Sequence, residues 1–504
     1  MKKKSSLIGL CFGACLALLS CDLDYAPENT LVDEKVYKDE GTAEAALMGA
    51  YVRLNVFLAG APQDQNNYAN TGYMFQLADV GTENLAVRNT AADYLAVETG
   101  EYSSAVHDGM LYNLWHWCYN AVDMANNVIS GIQRFGDYDP AMEAQHIAEA
   151  KFIRAYCYFA MLCAFGDQAL LGNDEGQGIV LRLDPYNGYN PEEVEGRSTN
   201  AECWNRIITD LTEAIPDLPE AVPAAAERIR ANRAVAQALL SRVYLYKGTY
   251  TNNVEELTAA RDYAATVLGV SGYTFSTSST EFSTALFPSN EYSQTTSYPD
   301  PTTRSGELLF FEPSRIYADN YPNGMYYYEK RSYYVPQERL SLYDADDVRR
   351  TYLLRTGSRS SNPNDSTCMK YSGGQYDDVI FIRLAEVKLT YAETLVRVGG
   401  VVTQEAVNQL NDIHQRAYPD DLKPAVYTLA DFSSTDDFLR TLLTERNREL
   451  AYEGHYRWDL MRTGNFLGDT KLGAVDKARW NLPVPDYEIR ISEGIISQNS
   501  GYNQ

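Results

Sequence analysis

Apolar side chains return every three to four positions over most of the chain, the spacing of helices with one buried face. The pattern starts near Thr42 and runs through Ala46, Met48, Ala50 and Leu54. It is strongest over 111–132, where Leu114, Trp115, Tyr119, Val122, Asn126 and Ile129 recur, and over 141–165. Two hairpins of helices follow, 202–215 with 230–247 and 381–398 with 403–417, with a further helix at 254–268. Ala148, Ala155, Ala160, Ala234, Ala236 and Ala238 sit inside these helices, and such small side chains let neighbouring axes approach closely. The expected fold is mainly α: tetratricopeptide-like helical hairpins forming a scaffold.

Two stretches break the pattern. Residues 60–109 are rich in Gly, Asn and Tyr, with short extended pieces and no long helix; residues 271–336 turn to Ser, Thr, Tyr, Pro and Asn, and only 307–311 reads there as a buried strand. A long non-helical insertion in a helical chain points to function or disorder, and its aromatic content argues against disorder. The expected organisation is one unit over 41–504. Its scaffold comprises 41–270 and 337–504, with 271–336 as a loop-rich, ligand-facing insertion carrying a few short strands.

The first forty residues follow a different logic. Lys2, Lys3 and Lys4 precede a short apolar run over 7–19, too short to span a bilayer comfortably, so 1–20 reads as a signal peptide. Leu18-Leu19-Ser20-Cys21 is similar to a bacterial lipobox, in which Cys21 becomes the lipidated first residue and 21–40 a surface tether. Several acyl chains on one cysteine make a stable membrane anchor.

Charge narrows the partners. With 43 Lys and Arg against 68 Asp and Glu, the net charge of −25 argues against nucleic acid, whose phosphates need concentrated cations. Cys118, Cys157, Cys163, Cys203 and Cys368 form no CxxC pair and read as buried thiols. The five histidines are scattered without metal-ligand spacing, and Asp344, Asp346 and Asp347 read as a solvated acidic turn rather than a metal site. No nucleotide, zinc-protease or hydrolase motif is present, so the sequence offers no catalytic residue and calls for no cofactor.

The densest information lies in 443–464. Leu442, Leu443, Leu450 and Tyr452 suggest a helical apolar face, Glu445 is placed to meet Arg448 and Glu449 on the helix surface, and Gly454 fits a helix end. Tyr456, Arg457, Trp458, Asp459 and Arg462 then mix aromatics with ions that are costly to bury unpaired. Glu449, Glu453 and His455 could serve as an acid–base site, but no nucleophile or metal-ligand spacing accompanies them, and a buried ionic clamp locking the helix onto its neighbours is the favoured reading. The run Glu445-Arg446-Asn447-Arg448-Glu449-Leu450 through Glu453-Gly454, then Arg457, Asp459, Leu460 and Arg462, resembles the signature of the SusD/RagB outer-membrane lipoproteins. The W…Y…aN…I spacing of 115–129, the EAKFIRAYCYF run from Glu149, the IRLAEV run from Ile382, and the LPVP…QNSGY end from Leu482 are similar to other stretches of that family. In the family the signature is architectural. The resemblance implies a helical scaffold that binds glycan at the cell surface and delivers it to a TonB-dependent, SusC-like outer-membrane transporter. Peptide uptake of the RagB type is the alternative, and a surface glycoside hydrolase is a third reading.

Tyrosine is the last signal. The chain has 39 Tyr against 16 Phe, and each buried hydroxyl needs a partner. Seven tyrosines fall between Tyr317 and Tyr334, and because strand side chains alternate faces, Tyr326, Tyr327 and Tyr328 cannot all point into one core. These three and Tyr321 are the central-loop candidates for stacking on sugar. From the early region the resemblance adds Asp79, Glu83, Asn84, Arg88 and Tyr94, with Glu83 and Arg88 matching its acidic-then-arginine pattern. Replacing Cys21 by Ala is expected to abolish acylation and shift the protein from outer-membrane to soluble fractions; retention of the variant in cells lacking the transporter would count against the anchor.

Overall fold

The computed structural model describes residues 33–59, 73–87, 92–103, 107–188, 190–287, 304–313, 333–356, 366–368, 370 and 378–502. Helices α1 (Asp33–Tyr37) and α2 (Glu40–Ala59) open the chain. Tyr37 is buried with its ring against Gly131, so part of the expected tether is docked on the scaffold. Two long helices follow, α5 (Tyr112–Phe135) and α6 (Pro140–Phe165), after the short α3 (Tyr73–Leu77) and α4 (Ala92–Thr99). Asp139 caps α6 by accepting from the Ala141 amide, with Pro140 in the first turn, where its missing N–H costs nothing.

Next come α7 (Asn200–Ala214), α8 (Arg233–Thr249) and α9 (Val254–Leu268). Each starts on a side-chain cap: Thr199 with Glu202 as a reciprocal box, Asn232, and Asn253. Consecutive helices pack in sequence, α5 on α6, α6 on α7 and α8 on α9, as stacked hairpins require. The fold is mainly helical, as expected. The recurrent motif residues bind layers together. Arg154 of α6 pairs with buried Asp210 of α7 at 2.8 Å and donates to Asn126 Oδ1 of α5. Tyr119 and Asn126 donate to the carbonyls of Val180 and Arg182, fixing the connection that crosses above.

The C-terminal half differs from expectation at one junction. Residues 379–383 are a strand, not the start of a helix. Strand β2 (Leu308–Glu312) pairs antiparallel with β6 (Val379–Arg383), and helix α12 (Leu384–Gly399) begins directly after it. Val379, Ile380, Phe381 and Ile382 are all buried, so a run apolar on both faces gave no periodicity to tell strand from helix. Between them lie β3 (Tyr333–Tyr334), α10 (Gln337–Leu340), α11 (Val348–Leu353), β4 (Leu354–Thr356) and β5 (Ser366–Cys368). Helices α13 (Gln404–Arg416), α14 (Thr435–Leu450) and α15 (Tyr456–Arg462) complete the signature region, and α16 (Asp486–Ile491) lies near the end. Helix α14 stops at Leu450: Tyr452 adopts a left-handed φ of 67° and Gly454 one of 85°, so neither continues its face. A Cβ on Gly454 would sit 3.1 Å from the Phe75 ring, and glycine alone meets both demands easily.

The signature is a buried ionic clamp. Arg383, at the end of β6, spends every guanidinium N–H: Nε on Glu453 Oε2 at 2.6 Å, Nη1 on Glu307 and Glu449 at 2.8 and 2.6 Å, and Nη2 on Glu453 and the Glu449 carbonyl. Arg416 bridges Glu307 and Glu449, Arg349 joins Asp347, Glu445 and Glu449, and Lys370 reaches Glu453. A second cluster pairs Arg462 with Glu393 and Asp459, Arg446 with Asp459, and Arg242 with Glu386. Arg457 behaves otherwise than its place in the signature suggests: it donates to the Trp480 carbonyl at 2.7 Å rather than to a carboxylate. Burial pushes the Glu449 carboxyl up, but Arg416, Arg383 and Arg349 outweigh it and hold it at about 2. Its stabilising contribution is therefore complete above about pH 4.5 and is lost as pH falls toward 2. Glu449→Ala should cost about 3–5 kcal/mol in urea unfolding at neutral pH, since it leaves Arg383, Arg416 and Arg349 each one carboxylate short in a buried site. A cost under about 1 kcal/mol would mean that the clamp relaxes or hydrates once opened.

Candidate ligand-binding face

The early region is short on regular structure and is held by side chains. After α3, the chain turns through 78–85: the Val80 amide donates to the Gln76 carbonyl, Thr82 Oγ1 to the Asp79 carbonyl, and the Asn84 amide to Thr82 Oγ1. Gly81 sits at φ 76°, a conformation costly for any side chain. Asn84 Nδ2 then links Asp79 Oδ1 at 2.6 Å to Asn447 Oδ1 at 3.0 Å. Tyr452 donates to the Asn84 carbonyl, and the Arg457 amide to that of Ala78. Every one of these outside partners belongs to the signature. The clamp is thus the bench on which this turn is mounted.

From the turn emerges β1 (Ala86–Val87), which pairs antiparallel with β3, Ala86 opposite Tyr334 and Val87 opposite Tyr333. Tyr333 is fully buried and donates to Gln76 Oε1 at 2.7 Å, while Tyr334 is half-buried, the alternation that strand geometry demands. In this register the described chain ends at Val87 and resumes at Tyr333 at the same end of the ladder. The early region and the central insertion are therefore tied together at one point.

The individual candidates separate on this frame. Asp79 is fully buried beneath the turn, where its oxygen serves Asn84 instead of facing outward. Burial pushes its carboxyl up to about 6, against the pull of Asn84, the Tyr452 amide and Arg339. Glu83 is half-buried, with Oε1 accepting from the Lys471 amide and Oε2 lying 3.5 Å from the Tyr456 hydroxyl. Burial and Glu83 together raise the Tyr456 phenol well above its ordinary value. Tyr94 belongs to α4, but its side chain lies outside the described residues, as do Arg88, Tyr321, Tyr326, Tyr327, Tyr328 and Cys21. Asn447, Tyr452, Tyr456 and Lys471, which position the turn, were not among the sequence candidates for this face. They lie far along the chain, and nothing local in the sequence pairs them with 79–84.

The acid–base alternative loses its free groups. Glu449 and Glu453 are saturated by the clamp, and burial first, then Arg242, Arg446 and other cations, drives the His455 imidazole far below its usual range. Its nearest polar contact is the Tyr246 hydroxyl at 3.4 Å. The acidic turn is likewise engaged: Asp347 is buried on Arg349, and Asp344 accepts from Tyr418 at 2.8 Å. Among the described residues no cluster of His, Cys, Asp or Glu could hold a metal, no helix is long and apolar enough to cross a membrane, and Cys118, Cys157, Cys163, Cys203 and Cys368 are buried and free.

Two family models match the chain in tandem. One, described as "Starch-binding associating with outer membrane", covers residues 33–245, and the other, described as "SusD family", covers 244–474. The chain belongs to the SusD/RagB family. A SusD-like protein of Bacteroides ovatus is 28% identical over 54% of this chain and 45% of its own length, so that match spans less than half of the relative. SusD-like protein P2 of Formosa agariphila is 24% identical over 97% of this chain and 98% of that protein. Among solved structures, a SusD superfamily protein from Bacteroides vulgatus superposes with a TM-score of 0.72 at 21% identity, covering 93% of this chain and 100% of that one. The surface glycan-binding protein A of Bacteroides thetaiotaomicron gives a TM-score of 0.67 at 18% identity, over 92% and 100%. These likenesses show the SusD fold for this chain.

Asp79 supplies a test of the mounting. Because folding raises its pKa, the native state holds the proton more tightly than the unfolded chain, and its contribution to stability declines as pH rises from about 4 to about 6. Asp79→Asn keeps the acceptor for Asn84 but cannot ionise. It is expected to remove up to about 3 kcal/mol of that decline when urea midpoints at about pH 4 and about pH 7 are compared. An unaltered pH slope would show that this carboxyl is hydrated.

Proposed function

We propose that this chain is a cell-surface lipoprotein, anchored through Cys21 in the outer membrane, that captures an oligosaccharide and delivers it to a TonB-dependent, SusC-like transporter. The observation that carries the reading is the β1–β3 ladder. It joins the early region to the central insertion, the two segments from which stacking tyrosines and polar contacts are drawn. Tyr326, Tyr327, Tyr328 and Tyr321 supply apolar faces for the C–H surfaces of sugar rings, helped by Tyr94, and Glu83 with Arg88 supplies hydrogen bonds to hydroxyls. Asp79 acts from beneath, by holding Asn84. Membership of a family with a starch-binding model, and the glycan-binding name of one structural neighbour, support a sugar over a peptide as ligand. The saturated carboxylates of the clamp favour capture over hydrolysis, and the reading calls for no cofactor.

Such a site needs only modest strength. Micromolar to millimolar binding corresponds to about 4–8 kcal/mol, within reach of two or three stacked rings and a few hydrogen bonds. Isothermal titration of the detergent-solubilised lipoprotein against a glycan panel, with mixed peptides as the second arm, should find a neutral glycan ligand. The combined Tyr326→Ala, Tyr327→Ala, Tyr328→Ala variant should keep its melting temperature and lose at least tenfold in affinity. Unchanged affinity in the folded variant would move the site elsewhere, loss of folding would return these residues to the core, and peptide-only binding would favour the RagB-type reading.

A further inference from the structure

A second set of rings lies at the start of α5. Tyr487 of α16 meets Tyr112 edge-on, with centroids 5.2 Å apart. Tyr112 stacks on His116 at 5.6 Å and 19°, and His116 meets Trp117 at 5.2 Å. The guanidinium of Arg53, from α2, closes the row 5.5 Å from the Trp117 ring. Four rings and a cation thus follow one another at nearly even spacing. Helical geometry aligns part of the row, because residues four apart share a face. Most of the row stands outside the core: Tyr487 is 41% exposed, His116 is exposed and Tyr112 is half-buried, while Trp117 is half-buried with one side packed on the core.

Two polar groups along this row are unanswered. Asn120, one turn beyond Trp117, has a buried Oδ1 with no hydrogen-bond partner among the described residues. Arg53 is half-buried, yet among the described residues its only close contact of note is the Trp117 ring. That is unusual in a chain with 68 acidic residues. Arg230, also half-buried, takes both Glu44 and Glu149. A guanidinium on an aromatic wall offers paired N–H groups to a planar or tetrahedral oxyanion while its face stays on the ring.

We propose that this row is a second saccharide-binding strip, selective for oligosaccharides bearing a carboxylate or a sulfate. The sugar lies along the more exposed rings of His116, Tyr112 and Tyr487, and the anionic group meets Arg53, whose own face is held on Trp117. Burial and the nearby Arg53 charge lower the His116 pKa, so at neutral pH its ring is an uncharged stacking surface. The overall negative charge repels an anionic glycan at long range. Selectivity must therefore come from direct contact with Arg53, which makes that side chain the decisive one to change.

The strip does not depend on Tyr326–Tyr328, and the test separates the two. The detergent-solubilised lipoprotein would be titrated with an oligogalacturonate, a sulfated galacto-oligosaccharide and a neutral galacto-oligosaccharide of the same length. Arg53→Gln is expected to weaken the anionic ligands at least tenfold and leave the neutral one within twofold. His116→Ala, at an exposed position, should weaken both kinds. Failure of both anionic sugars to bind the unaltered protein overturns the proposal, as does equal affinity in Arg53→Gln. Loss of anionic binding in the triple tyrosine variant, with Arg53→Gln unaffected, assigns that binding to the other face and also overturns it. Loss of neutral-glycan binding in the triple variant alone bears on the proposed function and leaves the strip standing.

Discussion

Everything in the C-terminal half depends on how Arg383 is satisfied. A guanidinium buried without partners costs several kcal/mol, and a single carboxylate cannot use all its N–H groups. Here Glu307, Glu449 and Glu453 do so from three different segments, which forces β2, α14 and the turn after α14 to meet at one point. The ends of the short β2–β6 sheet supply two of the charges, with Leu308 opposite Arg383 and Glu307 just before it. The sheet is thus less a layer than a bracket that delivers ions to the centre. Such a network need not add net stability over an apolar core, but it tolerates one register and one docking of its helices.

That uniqueness passes outward to the turn before β1. Asn447 and Tyr452 lie within the same signature and reach Asn84, whose carbonyl and amide fix the turn below β1. A shift of α14 would carry the turn with it. On the proposed reading, the most recognisable stretch of the chain would contribute to binding by positioning alone. This accounts for a motif full of ionisable groups in which none is free.

The sequence made the long helices legible because their amphipathic period persists over many turns: Val254–Leu268 is where the pattern puts it, and the bounds of Pro140–Phe165 differ from expectation by one residue. The clamp was legible as a clamp, since so many ions between so many aromatics have few other fates. Its partners were not, because Arg349, Lys370 and Arg383 come from segments whose proximity only tertiary structure creates. Strand β6 was read as helix because burial on both faces erases the period. The candidate site was the least legible. Residue type pointed to Glu83 and Asp79 alike, yet one lies half-buried near the surface and the other is entombed, a difference set by Asn84 and Asn447.

The β1–β3 ladder has two residue pairs, and such a ladder is written in backbone atoms. It asks almost nothing of the side chains that flank it. Loops on either side of such a join can lengthen, shorten or change composition while their feet stay together, since each doubling of loop length costs only about 0.6 kcal/mol. The fold thereby separates residues that a change would disturb, the ions behind the ladder, from residues that the ladder itself does not constrain. A lineage facing a new nutrient could rewrite the second without reopening the first.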